Sequence, residues 1–215
     1  MKSFLYNLVK IVFLLVLPFI TLIRGAIFIH EQYNPWPSIS IIGGVLFSAL
    51  IIFFYIVFIQ ARITGKLGNI TSIKRSYWAA LVLILVYCIP GLLFLSAANA
   101  KHEEVQKEFT SLHPILRLGI STLVFVDKKV ILTDAKRLPE DYHRMGLKVN
   151  SHSLHYKQSS GYAHAVDIRT RGRSEFRNNL VILYFKLMGF NTLRHVGTAD
   201  HLHVSVMSHD RPGGI

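Results

Sequence analysis

The chain has 215 residues, 51% of them apolar and 17% charged, with a formal net charge of +12. That length suits one or two domains, and the single cysteine, Cys88, excludes an intrachain disulfide. The basic residues form neither one block nor a recognised nucleic-acid motif, so no nucleic-acid partner is expected despite the charge. Apolar residues crowd into the first hundred positions and charges and histidines into the rest. This division separates a membrane half from a water-exposed half.

Three apolar runs, residues 4–23, 39–59 and 77–98, approach or exceed the roughly 20 residues that a spanning helix needs. Lys10 is the one formal charge within them. Pro18 and Pro90 are tolerated in spanning helices, and Trp36 and Tyr77 suit the membrane interface. A secretory signal peptide would also start with Lys2 and an apolar run. Two further spans and the lack of a small-residue cleavage site near Arg24 favour an uncleaved first span. Ala98-Asn99-Ala100 resembles a signal-peptidase site, and cleavage there would release the water-exposed half. The second loop carries Arg62, Lys66, Lys74 and Arg75 with no acidic residue, whereas the first has no lysine or arginine beyond Arg24 at its edge. The positive-inside rule therefore predicts a cytoplasmic N-terminus and an outward-facing segment after residue 98.

Residues 99–111, with Glu103, Glu104, Lys107 and Glu108, read as a solvated connector. From 112 to 215 the pattern is that of a compact domain with mixed elements. A helix is expected from Pro114 to about Thr122, and a short strand from Val130 to Thr133. A clearer helix follows Ser174, a plausible N-cap, and stops at Gly189. Phe176, Leu180, Val181, Leu183, Tyr184 and Leu187 are its expected apolar face. Strands with period-two alternation bracket it, at 163–170 and 201–208.

In the last strand, His201, His203 and Ser205 share one face, and Leu202, Val204 and Val206 the other. In the earlier strand Ala163, Ala165, Asp167 and Arg169 share a face, so neighbouring strands would let Asp167 meet His203. His155 is a third candidate ligand, ahead of a flexible turn at 158–161. Two histidines and one carboxylate form a standard catalytic zinc set with a position left for water. Asp200, three residues before His203, could handle protons. With 11 histidines in the chain, a lone His-x-His pair arises freely, so the combination with His155 and Asp167 carries the expectation.

Residues 112–206 resemble the peptidase family of D-Ala-D-Ala carboxypeptidases and L-Ala-D-Glu endopeptidases, whose fold the Hedgehog signalling domain shares. The resemblance rests on Ser153-Leu154-His155, Gly161, Ala165-Val166-Asp167, the helix at 176–188 and Asp200-His201-Leu202-His203. Upstream it includes His113-Pro114-Ile115-Leu116-Arg117 and Ile131-Leu132-Thr133-Asp134-Ala135-Lys136-Arg137. It implies an α+β fold with an antiparallel sheet and helices behind three transmembrane helices. It also implies Zn2+ held by His155, Asp167 and His203, with Asp200 as general base. Arg137 would hold a substrate carboxylate or carbonyl, a surface ion pair being the alternative, and His201 would support the transition state.

Two features depart from the family pattern. Asp167 follows His155 by 12 positions, more than the family's spacing, so residues 157–162 must loop out. His164 lies near that loop as a rival ligand, which strand alternation points away from Asp167. Asp200 also replaces the family's usual Glu.

The expected function is hydrolysis of peptide bonds in peptidoglycan stem peptides by a multi-pass protein of the bacterial inner membrane, its catalytic domain periplasmic and its other partner membrane lipid. A non-catalytic zinc-containing binding module is the alternative. A channel or scaffold role ranks below both, because the spans hold almost no ionisable residues.

Overall fold

In the computed structural model, which describes residues 2–144, 146, 148–197 and 200–214, the apolar runs are three long helices. They are α1 (Lys2–Tyr33), α2 (Pro37–Thr64) and α3 (Ile70–Leu93), each long and apolar enough to cross a membrane. Pro37 opens α2, where its missing N–H costs no hydrogen bond, and Gly65 closes it in the left-handed conformation at φ 70°. The Asn69 side chain accepts from the Ser72 N–H to start α3. At Gly44 the first two helices nearly touch, since a Cβ there would lie 2.3 Å from the Leu22 carbonyl oxygen. Such close approach through a small residue is how helices pack in lipid.

The third helix differs from its expected span of 77–98. It begins at Ile70, because its basic first turns with Lys74 and Arg75 lower the hydropathy without breaking the helix. It ends at Leu93, where Phe94 turns extended.

The segment 99–111, expected to be a solvated connector, is docked instead. The buried Asn99 amide donates to the Lys128 and Val130 carbonyls at 3.0 and 2.7 Å, and the Lys101 N–H donates to the Leu132 carbonyl at 2.8 Å. Short helix α4 (Glu103–Glu108) buries Val105, and Phe109 follows it into the core. Glu103, Glu104 and Lys107 face water, with Lys107 and Glu103 paired at 2.7 Å, and the half-buried Glu108 accepts from the Lys136 N–H at 3.4 Å. The dense charge hid the two apolar anchors from the sequence.

Helix α5 (Pro114–Val126) packs on α1, α2 and α3. Arg117 donates to the Leu92 carbonyl at 2.7 Å and Ser121 to the Gly91 carbonyl at 2.8 Å. Leu22, Ile23 and Cys88 thereby join Ile115, Leu118 and Phe185 in one hydrophobic core. The C-terminal half is fastened to its spans along this seam.

The remaining elements are β1 (Leu132–Asp134), α6 (Pro139–Arg144), β2 (Ala165–Arg169), α7 (Glu175–Met188), β3 (Asn191–His195) and β4 (His201–Ser205). The strands form an antiparallel sheet in the order β1-β2-β4-β3. The chain is thus α+β, with three long apolar helices followed by a small antiparallel sheet and shorter helices. Strand β3 was not foreseen. It is a polar edge strand, Asn-Thr-Leu-Arg-His, without the buried residues that mark β2 and β4.

The caps of α7 agree with expectation: Ser174 accepts from the Arg177 N–H, and Gly189 is left-handed at φ 98°. Its expected inner face agrees only at Val181, which is buried, and Tyr184, which is partly buried. Asn178, Val181, Phe185 and Met188 are buried, whereas Phe176, Leu180, Leu183 and Leu187 are exposed. The helix carries two apolar stripes. The edge-to-face pair of Phe185 with Phe190, at 5.5 Å between centroids, helps fix which one turns inward.

Candidate metal centre

The register of the central strand pair builds the site. Asp167 in β2 lies opposite His203 in β4, and Arg169 opposite His201. The odd-numbered residues of both strands therefore share a face, as period two requires. On the other side of β2, Asp134 of β1 is paired with Asp167 across an irregular register. Three strands thus bring two carboxylates and two imidazoles to one patch of sheet.

His155 comes from the loop before β2. That loop is pinned by the Arg137 N–H on the His155 carbonyl at 3.1 Å and the His164 N–H on the Leu154 carbonyl at 2.8 Å. The extra residues form a tight turn, in which the Gln158 N–H donates to the Tyr162 carbonyl and Gly161 takes φ 84°. The added length therefore loops out and leaves His155 free to return to the strands. His155 Nδ1 sits 2.9 Å from the Ala135 carbonyl. A carbonyl only accepts, so Nδ1 carries the proton and Nε2 of the neutral ring presents a lone pair.

That lone pair points at the strand residues. His155 Nε2 is 3.2 Å from His203 Nδ1 and 3.3 Å from Asp167 Oδ1, and His203 Nδ1 is 2.9 Å from the same oxygen. All three residues are buried, and together they could hold a metal ion. A single proton on His203 can bridge only part of this triangle, whereas a cation would satisfy all three atoms.

Arg137 supports the carboxylate from behind. Its Nε donates to Asp134 at 2.5 Å and its Nη2 to Asp167 Oδ2 at 2.6 Å. Burial works against ionisation of Asp167, but His155, His203 and the Arg137 guanidinium outweigh it and hold the carboxyl well below the usual range. Burial also lowers the His203 pKa, against the hydrogen bond with Asp167 that raises it. A deprotonated carboxylate and neutral imidazoles are the forms that bind metal.

The triangle opens onto a cleft of about 340 Å³ that is also lined by Arg137, Ser153, His195 and His201. His201 Nε2 lies 3.6 Å from Asp167 Oδ2. Its ring stacks on His195 at 4.6 Å with an interplanar angle of 25°. His195 was missed by sequence because strand β3 was missed; its pairing opposite His201 is what brings the rings together.

Asp200 is not among the residues of this cleft. Arg194 grips its two oxygens at 2.9 and 3.0 Å, and Thr170 donates to it at 2.7 Å. The Thr170 hydrogen bond and then Arg194 keep its carboxyl below the ordinary value. His164 points away from Asp167, as alternation predicts. Its Nδ1–H donates to the Met207 carbonyl at 3.0 Å, and its Nε2 accepts from Ser160 at 2.8 Å. The structure therefore gathers His155, Asp167, His203, Arg137 and His201, and leaves Asp200 and His164 apart.

Comparison of the chain with protein-family models, with curated proteins and with solved structures finds no match.

Proposed function

We propose that this chain is a membrane-anchored zinc peptidase whose C-terminal domain, on the outer side of a bacterial inner membrane, hydrolyses peptide bonds in peptidoglycan stems. The observation that carries the metal assignment is the convergence of His155 Nε2, Asp167 Oδ1 and His203 Nδ1 within 3.3 Å of one another. Tetrahedral zinc with bonds near 2.0–2.1 Å separates its ligand atoms by about 3.3 Å. The donor set of two imidazoles and one carboxylate leaves a position for water, as catalytic zinc sites require. The peptidoglycan assignment rests on the order of the motifs around these ligands. The outward placement rests on the basic α2–α3 turn, which lies at the opposite end of the spanning helices from the domain.

When bound, zinc polarises a carbonyl and makes hydroxide available near neutral pH. The chain supplies the rest. The Ala135 carbonyl fixes the tautomer of His155, an orienting contact of the kind that tunes metal ligands. Arg137 orients Asp167 so that Oδ1 faces the imidazoles, and its fork is already engaged by Asp134 and Asp167. Its role is thus that of a positioning residue rather than a first grip on substrate carboxylate. His201, at the edge of the cleft and stacked on His195, is placed to carry a proton to the leaving amine. Asp200, held by Arg194 and Thr170 just ahead of β4, is a weaker base for those contacts.

The test is metal content and muropeptide digestion on the detergent-purified full chain. A zinc equivalent per chain, with stem-peptide cleavage that disappears in His155→Ala, supports the reading. Loss of cleavage with zinc retained in His201→Ala, and cleavage retained in Asp200→Asn, assigns the proton carrier. The reverse pattern returns that role to Asp200. Zinc without cleavage of any muropeptide would make the domain a binding module, and a folded chain that takes up no zinc would sink the proposal.

A further inference from the structure

Four apolar side chains of α7 have no place in the core. Phe176, Leu180, Leu183 and Leu187 are 72, 47, 51 and 57% exposed. At about 100° per residue they fall on one narrow stripe of the helix. The opposite face, with Asn178, Val181, Phe185 and Met188, is buried. Arg177 flanks the stripe on one side and Lys186 on the other. The end of α5 carries two further exposed apolar side chains, Val126 beside α7 and Phe125 on the side toward α3, 81 and 71% exposed. Val126 and Leu180 line the same cleft of about 300 Å³ between the two helices. A contiguous apolar surface with a basic rim marks an interaction site rather than ordinary solvent-facing surface.

The spanning helices indicate what covers it. The turn between α2 and α3, with Arg62, Lys66, Lys74 and Arg75 around it, marks one headgroup level. About 20 helical residues reach the other level, which falls near Ile42 on α2. Gly25 of α1 packs beside Gly44 and Phe47 of α2, so the same level passes close to Arg24. Helix α7 is fastened at this height. Arg24 Nη1 donates to the Leu187 carbonyl at 2.7 Å, and a Cβ on Gly189 would lie 3.3 Å from Ile27. Tyr184 ties the middle of α7 to the Gly119 carbonyl of α5 at 2.7 Å. Helix α5 in turn rests on α3 through Arg117 and Ser121.

We propose that α7 is an interfacial helix. Its stripe of Phe176, Leu180, Leu183 and Leu187, continued by Val126, is immersed in the acyl region of the leaflet on which the domain sits. Arg177 and Lys186 reach the phosphate headgroups, as basic residues flanking such stripes do. The C-terminal domain then rides on the bilayer at a fixed height, and its metal-site cleft meets substrates at the membrane surface. The assignment depends on the spans alone and stands whether or not the domain is a peptidase.

The experiment uses the full chain in vesicles of phosphatidylethanolamine and phosphatidylglycerol. In a Cys88→Ala background, Phe176→Cys, Leu180→Cys, Leu183→Cys and Leu187→Cys each receive a nitroxide, with Ser151→Cys as the water-exposed control. Because none of the four side chains belongs to the core, each variant tests the stripe independently of folding. The expected result is a ratio of oxygen to nickel-chelate collisions several-fold higher at all four positions than at Ser151. A ratio equal to the control would place the stripe in water and overturn the proposal. Shielding from both reagents, with spin–spin broadening between copies, would overturn it in favour of a self-association face.

Discussion

Among the described residues, two buried histidine clusters differ in what their imidazoles converge on. His155 and His203 face a carboxylate, Asp167, which is braced by Arg137. His30, His113 and His164 gather at the joint between α1 and the domain, with ring centroids 4.7–5.6 Å apart. There the acceptors are backbone carbonyls. His30 Nε2 and His164 Nδ1 share the Met207 carbonyl at 2.9 and 3.0 Å, and His209 donates to the His30 carbonyl at 3.1 Å. A carboxylate among lone pairs makes a seat for a cation, whereas carbonyls among imidazoles make a neutral polar seam. Burial and histidine count alone do not distinguish the two.

The sharpest way to break the contrast is Asp167→Ala. It removes the anion at the centre of the site and one of the two carboxylates that hold Arg137, and breaking a buried pair costs roughly 3–5 kcal/mol. Metal uptake and the denaturant midpoint should both fall; a variant that still binds metal would deny the carboxylate its role. Next is the comparison of His155 with His164. Even contacts beyond the ligands change metal affinity by roughly 10–100-fold, so His155→Ala should lose at least the upper end of that range in a competition titration. His164→Ala should leave metal affinity unchanged, and equal losses would merge the two clusters.

Acid weakens both clusters in the same direction, and the imidazoles and the carboxylate respond in different pH windows. Burial pulls His164 down to about 4, against the Met207 hydrogen bond that raises it. Burial, then His164 and His30, hold His113 well below its ordinary value. An unfolded imidazole titrates near 6.5. Between that value and about 4 the unfolded state binds more protons, so stability falls as pH falls. Asp167 is depressed as well, but from a carboxyl value, so its contribution is present above the unfolded value of about 3.9 and is lost only below it. Thermal unfolding of the metal-free chain should therefore weaken first between pH 6.5 and 4. His164→Asn, which keeps a donor for Met207, should flatten that slope. An unchanged slope would remove His164 from the titrating seam. The smallest effect is expected for Ser160→Ala, which deletes the hydroxyl on His164 Nε2 and should cost about 1 kcal/mol, read as a small fall in melting temperature with metal content intact.

Much of the scaffold was legible because it depends on local regularities. Length and hydropathy predicted three spans, and Ser174 and Gly189 fixed both ends of α7. Period two put Asp167 and His203 each on the polar face of its strand, and the register then set them opposite one another. Where local signals were mixed, the expectations failed. Charges at Glu103, Glu104, Lys107 and Glu108 concealed the docking of Val105 and Phe109. The basic first turns of α3 concealed its true start, and the polar edge strand β3 had no buried alternation to mark it.

The sequence by itself determined which atoms were available: two imidazoles and a carboxylate, two of the three at strand spacing, a glycine to turn the inserted loop, and helices long enough to span a bilayer. These follow from side-chain chemistry and from the 3.6- and two-residue periods of the backbone. The tertiary structure alone decided their use. It chose the inner stripe of α7 through contacts with Phe190, α5 and β3. It turned His155 rather than His164 toward Asp167 by tying His155 Nδ1 to Ala135 and His164 to Met207. It also gave Asp200 to Arg194, because β3 places that guanidinium beside it. Each of these choices depends on contacts between residues distant in the chain or on separate elements, which no local periodicity encodes.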